Sequence, residues 1–334
     1  MTCLKDDGRS HSQFTMGNFY FKRLAKCALS MMLLLLAACN NDDSDNKLGD
    51  GKIPNLPVPE YESSSAKYDI SSTSSKYASI ELTGSGNYII IPRSGYYDLK
   101  NTTQARNTSG LPSPVKISTR AENGVIAGKF ITLSDNEFLL EGFGSIVIEG
   151  SQSNAYSLQV TPTGGETTTV AATKASTLDS SPITDAICRT WDINTVGGYF
   201  KFSGKVLFNK TMPIKDYDLF WESFYAAADD DYDDDYEPYG YYPTQTIFTK
   251  AGTYMVFYSN DRLAISTWRW KNEDKGVLVY AWSYDPDDFT ESNLVTASFS
   301  GTQLLLKEEP QIDEDEDIPA NSEAWWLYTM TEMK

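Results

Sequence analysis

The sequence predicts an all-β protein, with an N-terminal β-sandwich or meander domain followed by a second antiparallel β-meander domain. Three observations carry that prediction. Short β-prone runs separated by Gly, Asn, Asp and Ser turn signals recur through both halves of the chain. A Thr-, Ser-, Ala- and Gly-rich stretch from Gly164 to Ser181 reads as a linker between the halves. Beyond it the composition changes, because all seven tryptophans lie after residue 188, with most of the tyrosines. A chain of 334 residues is long enough for two domains. The boundaries that follow are 1–38 for a leader, 39–62 for a tether, 63–170 for the first domain, 171–185 for the linker and 186–334 for the second domain.

The leader does not read as part of a folded domain. Lys22, Arg23 and Lys26 form a positive segment, Cys27 to Leu36 an apolar one, and Ala37 and Ala38 precede Cys39. The apolar run is too short for a bilayer-spanning helix and has the flanks of a signal peptide. Leu36-Ala37-Ala38-Cys39 resembles the lipobox of bacterial lipoproteins. That resemblance implies cleavage before Cys39 and acylation of its thiol, hence a membrane partner reached through the lipid anchor. Each buried methylene contributes about 0.8 kcal/mol, so two or more chains anchor stably where one does not. Asn40-Asn41-Asp42-Asp43-Ser44-Asp45 is similar to the acidic tether of Bacteroides-group lipoproteins, which implies an outer-membrane protein facing the cell surface; a plain solvated spacer fits the same residues.

Composition narrows the function class. Removing residues 1–38 takes five basic and two acidic residues from totals of 28 and 46, leaving 23 and 44 and a net charge of −21. Such a chain repels nucleic acid, which is excluded as a partner, and favours cations and basic surfaces. Cleavage also removes His11, the only histidine, together with Cys3 and Cys27. Without histidine there is no Ser-His-Asp or Cys-His triad and no His-ligated zinc. Cys39 is committed to lipid, so Cys188 stands alone and reads as a small buried hydrophobe rather than a disulfide partner. A non-enzymatic protein with no cofactor is the expectation.

Along the chain, residues 40 to about 60 are rich in Asn, Asp, Gly and Pro and end in Ile53-Pro54-Asn55-Leu56-Pro57-Val58-Pro59, an extended spacer. In the first domain the β-prone runs are Ser79 to Leu82, Tyr88 to Ile91, Val115 to Ser118, Phe130 to Leu133, Glu137 to Leu140, Ser145 to Ile148 and Tyr156 to Val160. In the second they are Gln245 to Thr249, Thr253 to Tyr258, Arg262 to Trp270, Val277 to Tyr284, Leu294 to Ser300, Gln303 to Lys307 and Ala324 to Thr331. Several of the connections there are short, which makes antiparallel hairpins the default. Upstream, Tyr199 to Phe208 reads as one further strand. Ile214 to Ala228 reads as a helix, with Tyr217, Phe220, Trp221 and Phe224 at near-helical spacing.

Cys188-Arg189-Thr190-Trp191-Asp192-Ile193 resembles the opening strand of bacterial lipocalin-like domains. Thr246 to Tyr254, Ser266 to Trp270, Gly276 to Tyr284, Thr296 to Leu306 and Trp325 to Thr331 follow in that family's order, so the resemblance covers about 186–334. The long segment Tyr225 to Tyr242 departs from a minimal barrel. The resemblance implies an up-and-down barrel or curled meander whose inward side chains either fill the interior or line a ligand cavity. Trp268, Trp270, Tyr280 and Trp282 are the candidate ligand-facing residues; as core they would plug the barrel, which is the commoner use of aromatics.

Three acidic stretches, Asp229 to Glu237, Asp285 to Glu291 and Glu308 to Asp317, fall at one end of a strict meander, because successive connections alternate ends. They serve solubility, or offer carboxylates to a cation, with Asp231, Asp233 and Asp235 as candidate weak calcium ligands. The run lacks the glycine that an EF-hand loop needs at its sixth position. Two function classes remain. One is a surface binding module for a small apolar or glycan-like ligand. The other is a structural or adhesive protein presenting acidic loops to a cationic partner.

Overall fold

The structure, a computed structural model, describes residues 52–93, 120–121, 124–150, 154–228, 238–281, 294–309 and 321–333. The leader, Cys39, the run Val115 to Ser118, Trp282 and Asp231, Asp233 and Asp235 lie outside the described residues.

The N-terminal half is a closed antiparallel barrel, not a sandwich. Its wall is β1 (Ala66–Ile70), β2 (Tyr77–Leu82), β3 (Asn87–Pro92), β5 (Ile126–Ser134), β6 (Glu137–Leu140), β7 (Gly144–Gly150), β8 (Ala155–Pro162) and β9 (Thr168–Lys174), paired in chain order. The short β4 (Arg120–Ala121) stands outside that wall. Closure comes from β1, which pairs with β2 through Tyr68↔Ile80 and with β9 through Tyr68↔Lys174 and Ile70↔Ala172. A sandwich would leave both of those edges unpaired; here each supplies the other's hydrogen bonds. Alternation places Ala66, Tyr68 and Ile70 inside while Lys67 and Asp69 point out. The region expected as linker is partly wall, since Ala171 to Lys174 belong to β9.

Gly144 shows how tightly the wall is drawn. Its φ of 144° lies in the region that favours glycine, and a Cβ there would run into the carbonyl oxygen of Thr161 on the paired strand.

After residue 181 comes α1 (Pro182–Ile187), capped by Ser181, whose side chain accepts from the Thr184 N–H, with proline in its first turn. The second barrel follows. Its wall is β10 (Thr190–Phe202) with β12 (Pro243–Phe248), β13 (Thr253–Tyr258), β14 (Arg262–Asn272), β15 (Val277–Ala281), β16 (Leu294–Ser300), β17 (Gln303–Glu309) and β18 (Glu323–Glu332), closed by β10 against β18. The expected single strand Tyr199 to Phe208 is instead a hairpin, because Ser203 and Gly204 turn the chain with φ of 47° and 85° into β11 (Lys205–Pro213). Strand β10 pairs with β12 only over Thr190 to Asp192; from Thr195 onward its partner on that edge is β11. The amphipathic α2 (Tyr217–Ala228) packs against β10 and β11 with Phe220, Trp221 and Phe224 buried. Gly198 makes room for it, since a Cβ there would lie 2.7 Å from the Phe220 ring.

The two barrels meet through a small apolar patch of outward side chains. Ile89, Val125 and Ala127 of the first are buried with Ile247, Met255 and Leu263 of the second. Polar links surround it: Thr253 Oγ1 donates to Glu81 Oε2 at 2.6 Å and Asn87 Nδ2 to Thr190 Oγ1 at 2.8 Å. Burial holds the Glu81 carboxyl above its ordinary range. Strand β4 also pairs in parallel with β14. The end of the expected spacer is laid on the protein: Leu56 packs on the second core, Arg189 donates to the Pro57 carbonyl at 2.8 Å, and Lys250 pairs with Glu62 at 2.6 Å. The prolines that preset an extended backbone suit such a strap as well as a free spacer.

Candidate functional site

The second barrel differs from end to end. One end carries Thr190, the β12–β13 and β16–β17 turns and Glu332; the other carries Pro243, the β13–β14 turn, Glu309 and Glu323. The strand ends flanking the three acidic stretches (Pro243, Ala281 with Leu294, and Glu309 with Glu323) attach at the second end, here termed the mouth.

The first end is plugged. Trp191 Nε1 donates to the Ile187 carbonyl at 2.9 Å, Trp268 Nε1 to the Thr249 carbonyl at 3.0 Å and Trp270 Nε1 to Thr184 Oγ1 at 2.8 Å. Thr184 in turn donates to Glu273 at 2.8 Å, so α1 is fastened across this end. All three of these indole N–H groups are satisfied by protein atoms, as expected of buried tryptophan. Trp268 and Trp270 are therefore brought together as packing, with ring centroids 5.3 Å apart. Tyr280, directly opposite Trp268 in the ladder, is buried and stacked on Tyr254 at 4.3 Å. Cys188 is buried in the same core, with its thiol pushed well above its ordinary range by desolvation.

The facing pairs of β17 and β18 show what changes toward the mouth. Residues directly opposite in an antiparallel ladder point to the same side. From plug to mouth the inward pairs are Leu304↔Met330, Leu306↔Tyr328 and Glu308↔Trp326. Leu304, Met330 and Leu306 are buried to 2 % exposure or less, whereas Tyr328, Glu308 and Trp326 all keep solvent-accessible surface. Tyr258 of β13, Ala264 of β14 and Tyr217 of α2 do the same. Among the described residues, the inward side chains of the lower half border one another, while in the upper half some keep accessible surface and others, such as Val295 opposite Glu308, are buried.

Among the described residues, tyrosines, Trp326 and the Glu308 carboxylate supply the polar groups of the upper half. Trp326 Nε1 donates to Glu308 Oε2 at 2.7 Å, and the Tyr217 and Tyr328 hydroxyls lie 3.4 Å apart. The Trp221 ring meets that of Trp326 edge-on at 5.4 Å. Asp218 anchors the chain re-entering the barrel by accepting from the Tyr239 and Gly240 N–H groups, both at 3.0 Å. Tyr241 then packs on Tyr258 at 5.3 Å.

Desolvation pushes the Glu308 carboxyl up to about 7, against the lowering influence of the Trp326 N–H. The surrounding phenols move further from neutrality: Tyr217 is pushed up to about 12, and Tyr258, Tyr280 and Tyr328 well above their ordinary value, in each case chiefly by burial. The site thus offers aromatic faces, neutral hydroxyls and one carboxyl that titrates near neutral pH.

Glu308 escapes a sequence reading that assigns it to the acidic stretch Glu308 to Asp317. The usable signal is parity, since Leu304, Leu306 and Glu308 share one strand face, as do Tyr328 and Trp326 with Met330. No group of three or more metal-ligating side chains occurs among the described residues.

No family model, characterised protein or solved structure matches this chain. Fold and site together define a class: an all-β protein of two closed antiparallel barrels, one of which borders solvent inside its mouth.

Proposed function

We propose that this protein is a lipid-anchored outer-membrane lipoprotein, held at Cys39 and facing the cell surface, whose C-terminal barrel binds a small apolar or glycan-like ligand without catalysis. The observation that supports the binding reading is the accessible aromatic surface at the mouth end. Tyr217, Tyr258, Tyr328 and Trp326 keep accessible surface toward the mouth. Aromatic faces with hydroxyl tips suit ligands that combine an apolar surface with a few polar groups. The anchor rests on the order of basic residues, apolar run, small residues and Cys39 in the sequence. The strap through Leu56 and Pro57 approaches the plugged end, which would leave the mouth directed away from the bilayer.

Native mass spectrometry of the protein isolated from its own membrane tests the ligand. A discrete added mass is expected in the wild type and is expected to vanish in Ala264→Trp, which would fill the upper barrel. No added mass, together with no melting shift from any small apolar or glycan probe, would sink the binding reading. For the anchor, Cys39→Ala is expected to move the protein out of the membrane fraction.

A further inference from the structure

We infer that the mouth of the C-terminal barrel selects small organic cations, an ammonium group carried on an apolar body, with Glu308 as counter-charge and the surrounding tyrosine and tryptophan rings as the walls. This rests on the binding reading above and names the ligand class of the same site.

The way this protein treats its other enclosed carboxylates singles out Glu308. Glu332 pairs with Arg189 and Glu62 with Lys250. Glu273 accepts from the Ser181 and Thr184 hydroxyls, and Glu81 from Thr253. Glu308 is half-buried and has one side-chain donor among the described residues, Trp326 at 2.7 Å, and that bond uses only Oε2. The neighbouring Lys307 points outward, to Glu309 at 2.7 Å and over the Trp325 ring. An amide or hydroxyl at 308 would satisfy the indole without desolvating a charge. A carboxylate whose Oε1 has no side-chain donor among the described residues, beside half-buried tyrosine and tryptophan rings, is instead matched to a ligand that brings its own positive charge.

The rings supply the second half of the recognition. An ammonium over a tyrosine or tryptophan face is attracted by the ring quadrupole, most strongly where water is excluded. Tyr217 from α2, Tyr258 from β13 and Tyr328 with Trp326 from β18 border solvent, above the stacked Tyr254 and Tyr280. The net charge of −18 for the whole chain also draws cations toward it. The groups facing Glu308 do not compete for the charge: Tyr217, Tyr254, Tyr280 and Tyr328 are raised chiefly by burial and further by the Glu308 charge, staying neutral phenols from pH 6 to 8. Glu308 itself titrates near 7. Cation binding should therefore strengthen by about tenfold between pH 6 and 8 as the carboxyl ionises.

The test titrates the full-length protein with phenethylammonium, 2-phenylethanol and 3-phenylpropionate, read by calorimetry and by tryptophan fluorescence. The cation is expected to bind most tightly at pH 8. Glu308→Gln is expected to weaken it by about tenfold or more while leaving 2-phenylethanol unchanged. Glu308→Asp, which keeps the charge, should retain part of the preference, and unaltered melting of either variant shows that the fold survives. Equal affinity of Glu308→Gln and wild type for the cation overturns the inference. So does preference for the alcohol or the carboxylate, although the binding reading then stands. Absence of binding by all three probes also overturns the inference, and the binding reading falls with it only if no ligand co-purifies.

Discussion

In the N-terminal barrel the inward positions carry Ile80, Leu82, Tyr88, Ile90, Leu140, Ile146, Leu158 and Val160, every one close to fully buried. Polar tips inside it are tied to protein, as where the Tyr88 hydroxyl donates to the Glu141 carbonyl at 2.8 Å. In the C-terminal barrel the same architecture holds Trp191, Phe248, Trp268 and Phe299 at one end, and Tyr217, Tyr258, Tyr328, Glu308 and Trp326 toward the other. Strand number and pairing are alike; the difference lies in side-chain volume and polarity along the inward faces. A barrel of this size is just wide enough for side chains to fill it, so whether it is a core or a container depends on a handful of inward residues. In the first barrel most of the described inward residues pack against one another. The second keeps solvent-bordering tyrosine, tryptophan and carboxylate surface toward its mouth.

Four perturbations would break or sharpen that contrast. The largest effect is expected from Met255→Asp, which places an unpaired charge in the apolar patch joining the barrels. A loss on the order of 4 kcal/mol is expected, with the calorimetric transition splitting in two. A single unshifted transition would mean that the patch does not couple the barrels. Next, Leu140→Ala in the filled barrel should cost about 3 kcal/mol in chemical denaturation, because a buried leucine leaves a cavity that its neighbours close only partly.

The third perturbation is pH. The Glu308 carboxyl, raised from 4.5 to about 7 in the folded protein, favours folding while it is protonated. That contribution is fully present below the unfolded value and is lost as pH rises through about 7, a change of roughly 3 kcal/mol. Glu308→Gln is expected to remove this component of the pH slope, and an identical slope in both proteins would show that the carboxyl is not desolvated. The smallest effect is expected from Tyr328→Phe, less than about 1 kcal/mol, because its side chain already borders solvent. A loss comparable to that of Leu140→Ala would show the upper half to be packed like the first barrel.

Much of the fold is legible in the sequence. Strands β2, β3, β6, β7, β8 and β12 to β18 coincide closely with the β-prone runs, and α2 with the aromatic spacing Tyr217, Phe220, Trp221 and Phe224. The two strands most easily passed over, β1 and β9, are the pair that closes the first barrel. Strand β9 turns only Val170 and Ala172 inward and is otherwise Thr, Ala and Lys, so its composition is that of a linker. The candidate site was half legible. Aromatic residues on the inward faces mark the second barrel, but Trp268 and Trp270 prove to be the plug, and Glu308 hides at the margin of an acidic stretch.

Local patterning by itself determined that this is an all-β chain with short antiparallel connections, acidic, with a composition break near its middle and a lipobox-like segment at Cys39. Those properties depend on side-chain alternation, turn chemistry and charge, which act over a few residues at a time. Only the tertiary structure decided that both sheets close, that the barrels share an apolar patch, and that one end of the second is plugged while Glu308 borders the other. The reason is that closure rests on pairings between distant strands, such as Tyr68 with Lys174 or Trp191 with Glu332. An alternating strand reads the same whether its inward face meets a second sheet, a filled core or a ligand; only the residues across the interior tell them apart.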